Sequence, residues 1–280
     1  MHTPSRFAVV GASLNLLQLL SCVLCLSWFT AFADDPVRGL ASFKVPDGFT
    51  VEIAAPPEMS SYPMFMAFDH AGRLFIAESS GKNTKGKDTP KFPECMILML
   101  EDTDQDGVFD KRTLFADKLS LPMGVLWYRG AIYCASPPDF LRFEDTDGDG
   151  VADKREVLLT GWNVLNTASL HGPFLGPDGY MYLTHGRHGY NITSKEGVQY
   201  EGLASRIWRC KPDGTQLERF CGGGFDNPVE LVWTDNGDMI GTMTYFTDPK
   251  NGQRDALMHW VEGGVYPKWD ESAAEFIRTG

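Results

Sequence analysis

The sequence contains no Cys-x-x-Cys-His, so it carries no c-type haem site of its own. Beyond Asp34 it also lacks long amphipathic helical patterns, which argues against a helical or α/β domain. Positive charge is short: 25 Lys and Arg stand against 37 Asp and Glu, a formal net charge of -12. Phosphate binding needs clustered Lys and Arg, so nucleic acid is excluded as the main partner. No basic patch is present for anionic lipid. Otherwise 280 residues with 43% hydrophobic content, 29 Gly and 17 Pro describe a folded chain, neither disordered nor collagenous. The length fits one large domain or two small ones.

One stretch has no charge at all. Residues 7 to 33 lie uncharged between Arg6 and Asp34 and are mostly apolar. Ala31-Phe32-Ala33 closes the stretch as a small-residue cleavage pattern. Together these predict a secretory signal peptide over 1–33, with an uncleaved membrane anchor as the alternative. A lipoprotein site at Cys22 is the weaker reading, because an apolar run follows it. The remainder, 34–280, is expected to lie in the periplasm or outside the cell.

Cysteine is scarce past that leader: Cys95, Cys134, Cys210 and Cys221. Four cysteines allow three full pairings. A tight hairpin at Pro212 to Thr215 would set Cys210 opposite Leu217, leaving Cys221 too far along to bridge. Buried free thiols and disulfides both stay open at this point.

What the chain has instead is a repeat. Short β-rich runs recur in a common order, separated by Gly, Pro and Asp turns. Met64–Phe68, Leu74–Ala77, Met96–Leu100 and Thr113–Ala116 form one unit. Val125–Tyr128, Ala131–Cys134, Phe140–Phe143 and Glu156–Leu159 form the next. A third contains Tyr180–Leu183 and an outer hairpin from Ser205 to Cys221, and a fourth begins at Val229–Trp233. Repeated four-strand units predict an all-β fold, a β-propeller of about four blades. The last unit lacks a clear fourth strand, and Phe49 to Ala54 could complete a blade from the other end of the chain. The expected domain is therefore an incomplete propeller or part of a larger one. A sandwich of stacked hairpins is the competing architecture.

Two acidic loops stand in register in the first two units. Residues 101–112 read EDTDQDGVFDKR, and 144–155 read EDTDGDGVADKR. Asp102, Asp104, Asp106 and Asp110 alternate around Gly107, as Asp145, Asp147, Asp149 and Asp153 do around Gly150. Calcium takes six to eight oxygen ligands, and D-x-D-x-D-G supplies them with a Gly for the sharp turn. The loops depart from an EF-hand: its twelfth-position Glu falls on Thr113 in the first loop and on Glu156 in the second, and flanking β-strands replace the two helices. The prediction is a structural calcium clamp in each hairpin; the alternative is a solvated Asp-rich turn. With five acids against two bases each, the two loops hold half of the net charge.

The third unit carries the candidate chemistry. Residues 168–191 read ASLHGPFLGPDGYMYLTHGRHGYN and hold His171, His185 and His188, half of the six histidines. His is the side chain suited to moving protons near neutral pH. His171 is placed at the head of an innermost strand, where a propeller's central channel binds ligands. His185-Gly186-Arg187-His188-Gly189 is placed in a rim loop, where His185 and His188 could alternatively bind metal and Arg187 an anionic sugar. Asn191-Ile192-Thr193 matches a glycosylation acceptor, a tripeptide too common to carry weight. The scattered Trp residues are expected in blade packing.

The pattern H-G-x-x-x-G-P-D-G-x-x-Y followed by T-x-G-x-x-G-x-N resembles the soluble quinoprotein sugar dehydrogenases over 171–191 and 225–238. Over nearly all of 36–280 the chain resembles the N-terminal propeller of large secreted membrane-bound dehydrogenases of planctomycete-type bacteria. The acidic loops, HGRHG and the segment from Gly222 to Glu230 carry that second likeness. The quinoprotein resemblance implies that His171 is a general base, taking a sugar hydroxyl proton while hydride passes to pyrroloquinoline quinone (PQQ). It implies cofactor contacts at Arg187, His188 and Asn227. Asp226-Asn227-Pro228 stands where that family has Arg-Asn-Pro, and Arg187-His188 where it has Asp-Gln. The implied partners are a sugar or alcohol substrate and a cytochrome c acceptor.

Overall fold

The computed structural model describes residues 39–266, apart from 41, 83, 165–167, 224 and 245–254. The expected leader at 1–33 lies outside the described residues. No described helix is long and apolar enough to cross a membrane. The chain divides into two units at Ile53 and Ala54. In the first, the described residues form turns and irregular backbone without a strand. The expected blade-completing strand at Phe49 to Ala54 is not formed, and Phe49, Val51 and Ile53 stay exposed.

The second unit is an all-β propeller of four blades. Blade one is β1 (Pro63–Phe68), β2 (Leu74–Glu78), β3 (Cys95–Glu101) and β4 (Lys111–Leu119), paired in that order. Blade two is β5 (Val125–Tyr128), β6 (Ala131–Ser136), β7 (Asp139–Glu144) and β8 (Lys154–Thr160). Blade three contains β9 (Leu170–Leu175), β10 (Met181–His185), β13 (Ser205–Cys210) and β14 (Glu218–Gly223). A separate hairpin, β11 (Tyr190–Thr193) with β12 (Gln199–Gly202), is inserted between β10 and β13. Blade four has three described strands, β15 (Asn227–Trp233), β16 (Met239–Thr244) and β17 (Ala256–Trp260). The short β18 (Val265–Tyr266) adds parallel to β14. The innermost strands β1, β5, β9 and β15 lie side by side in sequence order.

Burial explains the composition of each strand. β2, β6 and β10 are buried along their whole length and read as apolar runs that end in polar residues, Glu78, Ser136 and Thr184-His185. The outermost β4 and β8 keep most of their polar positions exposed. Between blades the faces interlock. Phe75, Ile97, Met99 and Phe115 of blade one meet Ile132, Leu141 and Phe143 of blade two. Tyr133, Phe140 and Leu158 meet Leu170, Leu183 and Trp208 of blade three. Tyr182, Ile207 and Phe220 meet Leu231, Met239 and Trp260 of blade four. Trp162, Trp208 and Trp260 are fully buried, so these indoles serve packing.

All four described cysteines are buried free thiols. A bulge between Ile207 and Trp208 sets Cys221 opposite Ile207, while Cys210 pairs with Met181 on the other side. Burial pushes the Cys210 and Cys221 thiols up to about 12, so neither is a ready nucleophile.

The acidic loops do more than close hairpins. In blade two, the Ala152 N–H donates to the Phe115 carbonyl of blade one at 2.8 Å. Arg155 donates to the Asp117 and Lys118 carbonyls on the same strand. In blade one the equivalent residues act alike. Phe109 N–H donates to the Ala54 carbonyl at 2.7 Å, and Arg112 Nε to the Met59 carbonyl at 3.0 Å. Phe109 also packs on Leu98 and Leu100, with Ala55 and Met59 beside it. Each loop therefore grips the segment that precedes its own blade.

The innermost strands approach closely at Gly124 and Gly172. Gly172 N–H donates to the Met123 carbonyl at 3.0 Å, and a Cβ on Gly124 would stand 2.2 Å from the Gly172 carbonyl oxygen. Gly107, also at positive φ, has open space around it. Gly107→Ala is thus expected to cost only backbone strain, about 1 kcal/mol. Gly124→Ala adds a backbone collision and should cost at least twice that. Equal losses on urea unfolding of the two variants would refute the close approach.

Candidate functional site

His171 is the second residue of β9, as its place in the pattern predicts. Its ring is fully buried and does not open onto the central groove. Nδ1 lies 3.1 Å from the Ser169 carbonyl, an acceptor, so Nδ1 carries the proton. Nε2 then presents its lone pair, and it has no hydrogen-bond partner. Burial lowers the pKa of His171 to about 4, so the ring is neutral at physiological pH.

His185 corrects an expectation. It is the last residue of β10, fully buried, and not part of a rim loop. Its ring packs edge-on against Tyr190 at 6.2 Å, and burial lowers its pKa to about 3. Tyr190 is held in turn by Trp208 at 4.8 Å. His188 is half-buried and is also lowered, first by burial and then by Arg187. Charge on His188 or His171 lowers His185 further, which places His185 within reach of both. Among the described residues this cluster of three does not form a metal-ligand set.

The loop after β10 is fastened down by short contacts. Gly186 N–H donates to the Ser169 carbonyl, and Asn163 Nδ2 donates to the His188 carbonyl. A Cβ on Gly186 would meet the Ala168 and Asp226 carbonyl oxygens at 2.4 and 2.6 Å. Thr184 pairs with His171 across the β9–β10 ladder, and its hydroxyl donates to the Pro228 carbonyl at 2.5 Å. That bond brings the Asp226-Asn227-Pro228 segment to the histidines. Asn227 Oδ1 is buried there without a partner.

Asp226 is buried, and its Oδ1 lies 2.5 Å from Arg187 Nε. The quinoprotein resemblance sets Asp and Arg at these two places; here the order is reversed. The reciprocal change was visible in the sequence, but only the fold shows that the two positions touch. Arg187 consequently brings no net positive charge to the cluster. Ser169 and Asn163, which help to fasten this region, carried no sequence signal, whereas Thr184 opens the T-x-G-x-x-G-x-N pattern.

The acidic loops gather part of their predicted ligands. Carboxylate oxygens of Asp102, Asp104 and Asp106 lie within 4.8 Å of one another, as do those of Asp145, Asp147 and Asp149. Asp110 and Asp153 are spent otherwise. Asp110 accepts from Thr103 N–H and hydroxyl at 2.9 and 2.6 Å. Asp153 accepts from the same groups of Thr146. These bonds hold both carboxyls below the usual range and close the base of each loop. The all-oxygen trios suit a hard cation.

The fold is that of an all-β propeller, four blades of it among the described residues. The chain belongs to the family described as "Domain of unknown function (DUF7133)", which matches residues 35–260. No curated protein matches the sequence. Among solved structures, the holo PQQ domain of pyranose dehydrogenase from Coprinopsis cinerea is similar at 14% identity and a TM-score of 0.52. That match covers 82% of this chain and 60% of the other. A Trichoderma reesei protein of carbohydrate-active enzyme family AA12 gives 14% and 0.53, covering 80% and 59%. The PQQ-bound aldose sugar dehydrogenase of Streptomyces coelicolor gives 15% and 0.50, covering 77% and 64%. At these identities the likeness is one of fold. The chain spans about three fifths of the length of these proteins.

The buried histidines set an acid limit. The folded pKa of His171 and of His185 lies below the unfolded value of about 6.5. The unfolded chain therefore binds more protons in that window. Their stabilisation is complete above about pH 6.5 and is lost as pH falls through the folded values, up to about 3 kcal/mol each. Melting temperature should fall from pH 7 to pH 4, less steeply in His171→Gln. An identical slope in that variant would show that His171 does not contribute.

Proposed function

We propose that this chain is an extracytoplasmic, quinoprotein-like oxidoreductase propeller acting on a hydroxyl of a sugar or other alcohol, with calcium bracing its blades. It is of the kind carried by the secreted planctomycete-type dehydrogenases it resembles. The observation that carries the reading is His171. Its Nδ1 proton is fixed on the Ser169 carbonyl and its unpartnered Nε2 is free to accept a proton. Asn227 Oδ1 supplies a second unpartnered acceptor nearby. Two orphaned acceptors suit a ligand that donates, as a diol does.

PQQ, named in the similar structures, carries carboxylates and needs cations. The described residues do not fit it. Arg187 is already paired with Asp226, and burial keeps His171, His185 and His188 from charging. The anionic edge of a quinone would have to be met by other residues. In this reading His171 would receive the hydroxyl proton and Asn227 would orient the hydroxyl, while the hydride from the same carbon would pass to a quinone of the PQQ class held by residues outside this cluster, with a cytochrome c as the downstream electron acceptor class.

A second reading, a non-catalytic calcium-braced propeller that binds carbohydrate or a protein, draws on two facts. His171 is fully enclosed, and the Arg187–Asp226 pair neutralises the arginine of the histidine loop. Incubation of the full chain with PQQ and calcium, followed by dye reduction over a sugar panel, separates the two. The enzyme reading expects sugar-dependent reduction that drops about 100-fold in His171→Ala. Full activity in that variant removes the residue from the mechanism. No reduction, with retention on a polysaccharide column, favours the binding module.

For calcium, equilibrium dialysis should return about two bound ions per chain, and EDTA should lower the melting temperature. Asp104→Asn with Asp147→Asn should abolish both effects. A chain that binds no calcium and melts unchanged in EDTA has solvated turns instead.

A further inference from the structure

A cleft of about 310 Å³ opens between blades two and three, clear of the histidine cluster. Tyr128, Arg129, Tyr133, Arg142 and Glu156 of blade two line it, and the β13–β14 turn faces them with Asp213. Its size falls within the range of small-ligand sites, about 300–1,000 Å³.

One side of the cleft is a ladder. Tyr133, Arg142 and Glu156 pair in register across β6, β7 and β8, so their side chains stand in one row on the blade face. Tyr133 is only 4% exposed, and its hydroxyl accepts from Arg142 Nε at 3.1 Å. Among the described residues the hydroxyl proton itself has no acceptor. Arg142 gives Nη2 to Glu144 and keeps Nη1. Glu156 Oε1 takes Lys195 Nζ at 3.2 Å, and Asp213 Oδ1 takes the Thr215 N–H and hydroxyl. One oxygen is left on each carboxylate.

The lip carries a backbone outlier. Arg129 and Gly130 make a two-residue hairpin with φ of 50° and 84°, as a type I′ turn requires. Asn or Asp suits the first of these places, and a long side chain there is strained. The Arg129 guanidinium lies 5.1 Å from the centre of the Tyr128 ring and, among the described residues, pairs with no carboxylate. Strain of this kind at a cavity points to use rather than to stability.

The lining charges balance, two arginines against two carboxylates, so an anion or a cation each meets a like charge. Sugar hydroxyls both donate and accept. They match Arg142 and the Tyr133 proton on one side and the remaining carboxylate oxygens on the other. We propose that this cleft binds a neutral saccharide, with Tyr128 and Arg129 as its lip. The site shares no residue with the His171 reading and does not depend on it.

Isothermal titration of the full chain with cellotetraose, xylotetraose, mannotetraose and maltotetraose tests this, with tetragalacturonate as the charged control. At least one neutral tetrasaccharide should bind saturably and more tightly than the control. Tyr128→Ala should weaken that binding about tenfold. Arg129→Asn should act in two directions, weakening binding while raising the urea midpoint, because Asn-Gly suits the turn. A merely structural Arg129 would move stability alone. His171→Gln should leave the affinity unchanged. Binding lost in that variant and kept in Tyr128→Ala assigns the sugar to the histidine cluster and overturns the proposal. Undiminished binding by folded Tyr128→Ala and Arg129→Asn overturns it too, as does tighter binding of the galacturonate or no saturable binding of any neutral probe.

Discussion

The structure depends on how one blade holds the next. Apolar faces interlock between neighbours, but such contact is non-directional and would tolerate sliding. Direction comes from the acidic loops. A backbone N–H and, a few residues further on, an arginine both take carbonyls on the preceding segment. These bonds fix register where hydrophobic packing cannot. Between blades two and three the Gly172 N–H bond to the Met123 carbonyl fixes register nearer the axis.

The same logic orders the histidine cluster. Its members come from β9, β10 and the loop that follows β10, and no single strand positions them. Ser169 orients His171 and holds Gly186, while Thr184 ties the third blade to the fourth. Burial then keeps the imidazoles neutral, and a reversed ion pair cancels the nearest strong cation. The environment is thus built for neutral, hydrogen-bond-donating groups. That environment opposes a ligand whose recognition depends on negative charge.

Much of the architecture was legible because strand runs and turn residues recur with a fixed order. The middle strands announced themselves as apolar runs, and the turns at Gly72, Gly130 and Gly179 punctuated them. The β11–β12 hairpin was not legible, since Gln199–Gly202 has neither apolar alternation nor a strong turn signal before it. Phe49 to Ala54 misled for the opposite reason: it alternates, but alternation needs a waiting edge. His171 was readable from its Gly-Pro context, whereas the burial of His185 followed in part from Tyr190, which the inserted hairpin brings against its ring. Asp110 and Asp153 looked like ligands because sequence shows carboxylates, not the Thr103 and Thr146 hydroxyls that engage them.

The grip of each acidic loop on what precedes it has a consequence for descent. Twelve contiguous residues hold the trio of carboxylates, the Thr-closed base and both carbonyl-seeking groups. A duplicated blade would carry its own fastener and would need nothing from its neighbour except exposed backbone oxygens, which every outer strand offers. The near-identity of 101–112 and 144–155 fits that economy. Blades of this design can be copied in tandem without any compensating change in the blade already present.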